Sequence, residues 1–277
     1  MTTSSLFKAI QQKKSFLCVG LDTDMDKLPH HLLESENPMF EFNKAIVDAT
    51  APYVVAYKPN VAFYESLGSE GWEILELTAS YIKSKYPDIF LIADAKRGDI
   101  GNTSRMYARA FFKTMNFDAI TVAPYMGEDS IRPFLEYEGK TVIVLAVTSN
   151  KGADNFQMLR EEESHKMIFE KVIETCAQWG SPENLMFVAG ATKAEYLRNV
   201  RRLVPEHFLL IPGVGAQGGS LEDVISHGLN NRCGLLVNSS RDILYADATP
   251  RFALTAAEKS AELQQRMQEA LIQKGIA

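Results

Sequence analysis

The sequence predicts an α/β fold in which residues 1–277 form a single (β/α)8 TIM barrel domain with a short N-terminal helix. Three observations predict it. Eight short apolar runs recur at fairly regular intervals, and their near-continuous apolarity suits parallel strands buried on both faces. Stretches with apolar residues at helical spacing separate them. No Pro/Ser-rich linker and no block of like charge divides the chain, and an apolar fraction of 46% in 277 residues is enough for one large core. An open, doubly wound sheet is the alternative arrangement of the same elements.

The strands read, in order, "FLCVGLD" from Phe16, "VVAYKPN" from Val54, "FLIADAK" from Phe90, "AITVAP" from Ala119, "TVIVLAVT" from Thr141, "LMFVAG" from Leu185, "FLLIPG" from Phe208 and "GLLVNSS" from Gly234. "SSLFKAIQQKK" supplies the extra helix before the first strand. In "SEGWEILELTASYIKSKY", Trp72, Leu75, Ala79 and Ile82 fall on one helical face. "SLEDVISHGL" opens with Ser220 as N-cap and acids in its first turn, which favours a helix start. "RFALTAAEKSAELQQRMQEALIQKG" predicts a long closing helix. "TSNKGADNFQMLREEES", after the fifth strand, is the longest irregular stretch, and "REEES" within it reads as a solvated helix start.

Charge and cysteine content narrow the function. The formal charge of −6 does not suggest a nucleic-acid-binding face. Cys18, Cys176 and Cys233 lie far apart with no CxxC pair, so neither a zinc ribbon nor a disulfide framework is expected, and the reading is a reducing cytoplasm. "MTTSSLFKAIQQKKS" lacks the apolar core of a signal peptide. Apolar runs such as "TVIVLAV" are too short to span a bilayer, so no membrane partner is expected. The five histidines show no metal-ligand spacing, and the pair His30–His31 is read as solvated or core histidine. No GxSxG elbow is present.

A barrel of this kind carries its chemistry at the carboxyl ends of its strands. Those ends bring Asp22, then Lys58 and Asn60, then Asp94 and Lys96 with Asp99 just beyond. The fifth gives Thr148, Ser149 and Asn150, the seventh "PGVGAQGG" from Pro212 to Gly219, and the eighth "NSSR" from Asn238 to Arg241. Asp94 and Lys96 are two apart, so a strand points both the same way. Alternating charges offset one another where a lone buried charge would be very costly. A structural salt-bridge network at a barrel mouth is one reading. Charged clusters in clefts are also enriched at functional sites, and Lys58, Asp22 and Asp99 converge on the same rim. "GVGAQGG" permits close backbone approach to an anion, and Arg241 adds a permanently charged fork, so a phosphate site is expected after strands seven and eight.

These residues resemble a known family. "DAKRGDIGNT", with "YKPN" upstream and "PGVGAQGG" downstream, is similar to orotidine 5′-phosphate decarboxylases, in the longer-chain bacterial form. The likeness runs from Asp22 to Arg241 with the motifs in the family's order. It implies conversion of orotidine 5′-phosphate to UMP, the last step of UMP synthesis, with no cofactor and no metal. It implies that Lys96 protonates C6 of the product, that Asp94 faces the departing CO2, and that Lys58 completes the charge array and contacts the ribose. Asp22 would bind ribose, Ser149 the pyrimidine edge, and Gln217 and Arg241 the phosphate, with Pro212 and Ser240 beside them. Asp99, Ile100 and Thr103 would reach a neighbouring subunit's site, so a homodimer is implied. The strand-eight run is "NSSR" where shorter relatives carry a glycine before the arginine.

Three other functions share parts of this pattern. A Mg2+-dependent decarboxylase of keto-sugar phosphates shares the DxKxxD motif. A Schiff-base aldolase would use Lys96, but needs a neutral amine, which neighbouring carboxylates disfavour. A non-catalytic nucleotide-binding barrel would keep the phosphate site alone.

Overall fold

A computed structural model describes every residue of the chain except 216 and 217, together with the side chains of all described residues but 193–195. Among the described residues, eight parallel strands close into a barrel in sequence order. They are β1 (Leu17–Leu21), β2 (Ala56–Pro59), β3 (Phe90–Arg97), β4 (Ala119–Val122), β5 (Thr141–Val147), β6 (Leu185–Ala189), β7 (Leu209–Pro212) and β8 (Leu235–Ser239). Seven lie wholly inside one of the eight apolar runs, and β3 extends its run by one residue, to Arg97. β8 pairs with β1, so the sheet is closed and the open, doubly wound alternative is excluded.

Helices α1 (Thr3–Lys13), α2 (Pro38–Thr50), α3 (Val61–Glu65) and α4 (Gly68–Lys85) belong to the first half of the chain, followed by α5 (Gly101–Arg109) and α6 (Glu128–Leu135). The second half holds α7 (Ile168–Cys176), α8 (Ala194–Leu203), α9 (Leu221–Gly228), α10 (Arg241–Leu244) and α11 (Phe252–Gln273). Asn37 caps α2 through its side chain, with Pro38 pre-set for the first turn. The Ser220 hydroxyl accepts the Asp223 N–H at 3.2 Å, so the expected cap of α9 is formed.

Two local expectations are corrected. Trp72 does not sit squarely on the buried face of α4, which is made by Gly71, Ile74, Leu75, Thr78, Ala79 and Ile82; Trp72 lies at its margin with its ring against Phe111. "REEES" does not start a helix. It makes a turn closed by a bridge between Arg160 and Met167, and α7 begins only at Ile168. Glu161 N–H donates to Lys166 O at 2.9 Å across the turn, and the left-handed backbone of His165 (φ 56°) interrupts any helix there.

The barrel staves and the inner faces of the helices share one buried apolar cluster, from Leu6 on α1 to Leu271 on α11. Burial of this kind is worth about 25 cal/mol per Å2 of apolar surface, which anchors the strands and lets their carboxyl ends carry polar residues. Below the site, buried Asp118 binds Lys83 at 3.0 Å and accepts the Leu91 N–H at 2.9 Å, tying β3 to α4.

Candidate active site

The strand ends surround a cavity of about 400 Å3 at the carboxyl-terminal mouth. Its walls include Asp22, Lys58, Asn60, Asp94, Lys96, Thr148, Ser149, Asn150, Pro212, Asn238, Ser240 and Arg241, all at the ends read from the sequence. Parallel pairing puts side chains of neighbouring strands at one level, with Gly20 beside Lys58 and Pro212 beside Asn238.

The floor is an alternating charge array. Lys58 Nζ lies 2.9 Å from Asp94 Oδ2 and 3.8 Å from Asp22 Oδ1. Asp94 Oδ1 lies 2.6 Å from Lys96 Nζ. The Lys58 side chain is 5% exposed and that of Lys96 51%, so the first is a fixed internal cation and the second can meet a ligand. Burial alone would push Lys58 down, but Asp94 and then Asp22 outweigh it and hold its pKa above the ordinary lysine value. Burial would likewise push Asp94 up, yet Lys58 and Lys96 outweigh it and keep the carboxyl well below the usual range.

Thr121 on β4 completes the array and was not singled out from the sequence, where it sits inside an apolar run. Its hydroxyl donates to Asp94 Oδ1 at 3.0 Å and accepts the Lys96 backbone N–H at 2.9 Å. The pairing of β3 with β4 shifts register between Ala93 and Arg97, and Lys96 takes a left-handed φ of 46°. A side chain other than glycine there is strained by roughly 1–3 kcal/mol. The bulge turns Lys96 towards the same carboxylate that Lys58 reaches from β2.

Asp22 is held by its backbone. Tyr245 donates to Asp22 O at 2.9 Å and accepts the Asp24 N–H at 2.8 Å, while Tyr64 donates to Leu21 O at 3.3 Å. Asp22 Oδ1 and Asn238 Oδ1 are buried without a hydrogen-bond partner among the described residues. Both acceptors suit a ligand that brings hydroxyl donors. A Cβ on Gly20 would land on the Ser240 hydroxyl, so glycine on β1 makes room for the "NSSR" run.

At the opposite wall, Gly213, Gly215 and Gly218 all have φ between 80° and 93°, a backbone only glycine adopts at ease. Gly219 N–H donates to Gly213 O at 3.0 Å, so the two ends of this turn are tied together. Arg241 stands at the first turn of α10, lines the cavity and has no ion-pair partner among the described residues. Gln217 lies outside the described residues. Apolar Leu145, Val188 and Leu210 line the remaining wall; no pattern in the sequence separates these three from the other strand aliphatics as facing the site.

Asp99 and Thr103 are not brought to this cavity. Asp99 Oδ1 accepts the Ile100 N–H at 2.7 Å beyond the end of β3, and Thr103 is exposed on α5 next to Ile100, itself 55% exposed. Among the described residues, no group of three or more His, Cys, Asp or Glu side chains is arranged to hold a metal ion.

A closed barrel with interleaved ammonium and carboxylate groups at its carboxyl-terminal mouth is the architecture of a (β/α)8-barrel enzyme. The chain belongs to the orotidine 5′-phosphate decarboxylase / HUMPS family, whose model matches residues 15–257. It is 59% identical to the orotidine 5′-phosphate decarboxylase of Phocaeicola vulgatus over 99% of this chain and 100% of that one. It is 58% identical to that of Porphyromonas gingivalis over the full length of both. The solved OMP decarboxylase of Leishmania donovani superposes with a TM-score of 0.80 at 36% identity, covering 96% of this chain and 100% of that one. The relatives carry the name of a carboxy-lyase, and the chain is an enzyme of that class.

Proposed function

We propose that the chain converts orotidine 5′-phosphate to UMP by stabilising a C6 carbanion with fixed charge and protonating it from Lys96. The observation that carries this is the Asp94 carboxylate shared between the Lys58 and Lys96 ammonium groups, 2.9 and 2.6 Å away, at the floor of the mouth cavity. The names and lengths of the relatives support the reaction itself.

Loss of CO2 from C6 leaves an electron pair in the plane of the ring, where the π system delocalises it poorly. A cation held beside C6 lowers that charge's energy without reorganising at the moment of reaction. The half-exposed Lys96 ammonium is placed to do this, and once the carbon–CO2 bond has broken its proton passes to the electron pair left on C6. Asp94 fixes the ammonium's direction. Asp94 would also face the substrate carboxylate, whose repulsion is relieved as CO2 departs.

The remaining expectations form part of this reading. Asp22 and Lys58 take the ribose, Ser149 the pyrimidine edge, Arg241 and Gln217 the phosphate, with Pro212 and Ser240 at its side. Phosphate binding far from C6 supplies energy to hold the array closed over substrate. Asp99 and Thr103, which lie outside their own cavity, complete the site of a second copy in a homodimer; the exposure of Ile100, Met106 and Tyr107 around them supports this. The three cysteines are free and buried, and no helix among the described residues is long and apolar enough to cross a membrane, which supports a cytoplasmic reading.

The test is loss of orotate absorbance when orotidine 5′-phosphate is added to protein in EDTA. Wild type is expected to turn over fully, and Lys96→Ala to lose at least about 10⁴-fold in kcat while remaining folded. Activity that stops in EDTA, a Lys96 adduct trapped by borohydride, or near-normal turnover in Lys96→Ala would each overturn the mechanism.

A further inference from the structure

The stretch after β5 is long, and its residues beyond Asn150 stand outside the cavity lining. We propose that one of them, Gln157, is a positioning residue that sets Ser149 for base recognition. The inference rests on the reading of Ser149 given under the proposed function.

β5 ends at Val147, and the next three residues, Thr148, Ser149 and Asn150, line the cavity beyond the strand. Backbone donors at such a point need another acceptor. Gln157 supplies it: its Oε1 accepts the Thr148 N–H at 2.8 Å. Its Nε2 donates to Thr148 Oγ1 at 2.9 Å, and that hydroxyl donates onward to Asn150 Oδ1 at 2.6 Å. The primary amide thus offers one acceptor and one donor, as a neighbouring peptide group would, and the chain of bonds reaches both residues flanking Ser149.

The segment is held from its other side as well. A Cβ at Gly190 would stand only 2.8 Å from Ser149 N, so glycine there allows β6 to press against the turn. Thr192 donates to Ser149 O at 3.2 Å. Gln157 is itself anchored, its N–H donating to Ala153 O at 2.8 Å and its carbonyl accepting the Phe169 N–H at 3.1 Å, at the start of α7. The long loop therefore folds back and delivers an amide to the strand end that it has just left. Pre-ordering a recognition segment in this way removes an entropy cost from binding and keeps it in register with the base.

The prediction is specific to the base. Titration of UMP and of ribose 5-phosphate, each into wild type, Gln157→Ala, Gln157→Glu and Ser149→Ala, separates the roles. Gln157→Ala is expected to weaken UMP about tenfold, the worth of one or two lost hydrogen bonds, with ribose 5-phosphate within about twofold of wild type. Gln157→Glu keeps the acceptor for Thr148 N–H and loses the donor to Oγ1, so its UMP affinity falls between. Unchanged UMP affinity in Gln157→Ala, or equal weakening of both ligands, overturns the inference. If Gln157→Ala weakens UMP and Ser149→Ala does not, the role given to Ser149 falls and takes this inference with it, whereas a loss in Ser149→Ala without one in Gln157→Ala overturns the inference alone.

Discussion

Lys58 and Asp94 form the innermost ion pair of the mouth, Nζ to Oδ2 at 2.9 Å, with the lysine side chain 5% exposed. Such a pair is not an economical source of stability, since desolvation of both charges offsets much of their attraction. Its value is directional: the ammonium neutralises one carboxylate oxygen and leaves the other for Lys96.

Removing Lys58 should therefore expose the cost. Lys58→Met leaves Asp94 and Asp22 as neighbouring, partly buried acids with one cation fewer. The expected loss is about 3 kcal/mol or more of unfolding free energy, measured by urea denaturation near neutral pH, together with loss of turnover. Lys96→Ala, at a half-exposed position, should cost less than about 1 kcal/mol in the same experiment. Equal destabilisation by the two substitutions would contradict the division between an internal and a reactive lysine.

Thr121 predicts a different pattern. Its hydroxyl joins the Lys96 N–H to Asp94 Oδ1, so it stabilises both the left-handed backbone and the carboxylate's orientation. Thr121→Val keeps the shape and deletes both bonds, at a cost of about 1–3 kcal/mol for groups left unpaired. Misplacement of Lys96 is expected to lower kcat about 10- to 100-fold with KM near wild type, and Thr121→Ser to restore most of it. A rise in KM alone would assign Thr121 to binding instead.

The strand ends were legible because a parallel barrel writes its strands as apolar runs and its site as the polar residues that interrupt them. Asp94 and Lys96 stand out for that reason. Thr121 does not, because a threonine inside "AITVAP" is what a strand prefers anyway. Gln157 was hidden for another reason. Its partner is nine positions back, a distance set by how the loop folds and carrying no periodic signal. "REEES" failed as a helix start because its composition suits a solvated turn equally well.

A homodimer with shared sites can be tested by complementation. Asp99 is absent from its own cavity, whereas Lys96 is central to it. Lys96→Ala and Asp99→Ala should each be inactive alone. Denatured together in equal amounts and refolded, they form mixed dimers in which one of two sites has both residues intact. Recovery of about a quarter of wild-type activity is expected from random pairing in a two-fold dimer. No recovery, with mixed dimers present by mass spectrometry, would place Asp99 in its own subunit's site.

His207 sets an acid limit on the fold. It is 7% exposed, just before β7, with its ring 5.6 Å from that of Phe187. Neither ring nitrogen has a hydrogen-bond partner among the described residues. Burial, and then the nearby Arg201 charge, push its pKa down to about 4. An unfolded histidine titrates near 6.5, so between about pH 6.5 and about pH 4 the unfolded chain takes up a proton that the folded chain refuses. Stability from neutral His207 is thus complete above about pH 6.5 and is lost as pH falls towards 4. His207→Leu removes the titration and keeps an apolar contact with Phe187. Its urea midpoint should fall less than that of wild type between about pH 7.5 and about pH 5, measured by fluorescence. Parallel midpoints for the two proteins across that range would show that the imidazole is protonated in place and is not what makes the barrel acid-sensitive.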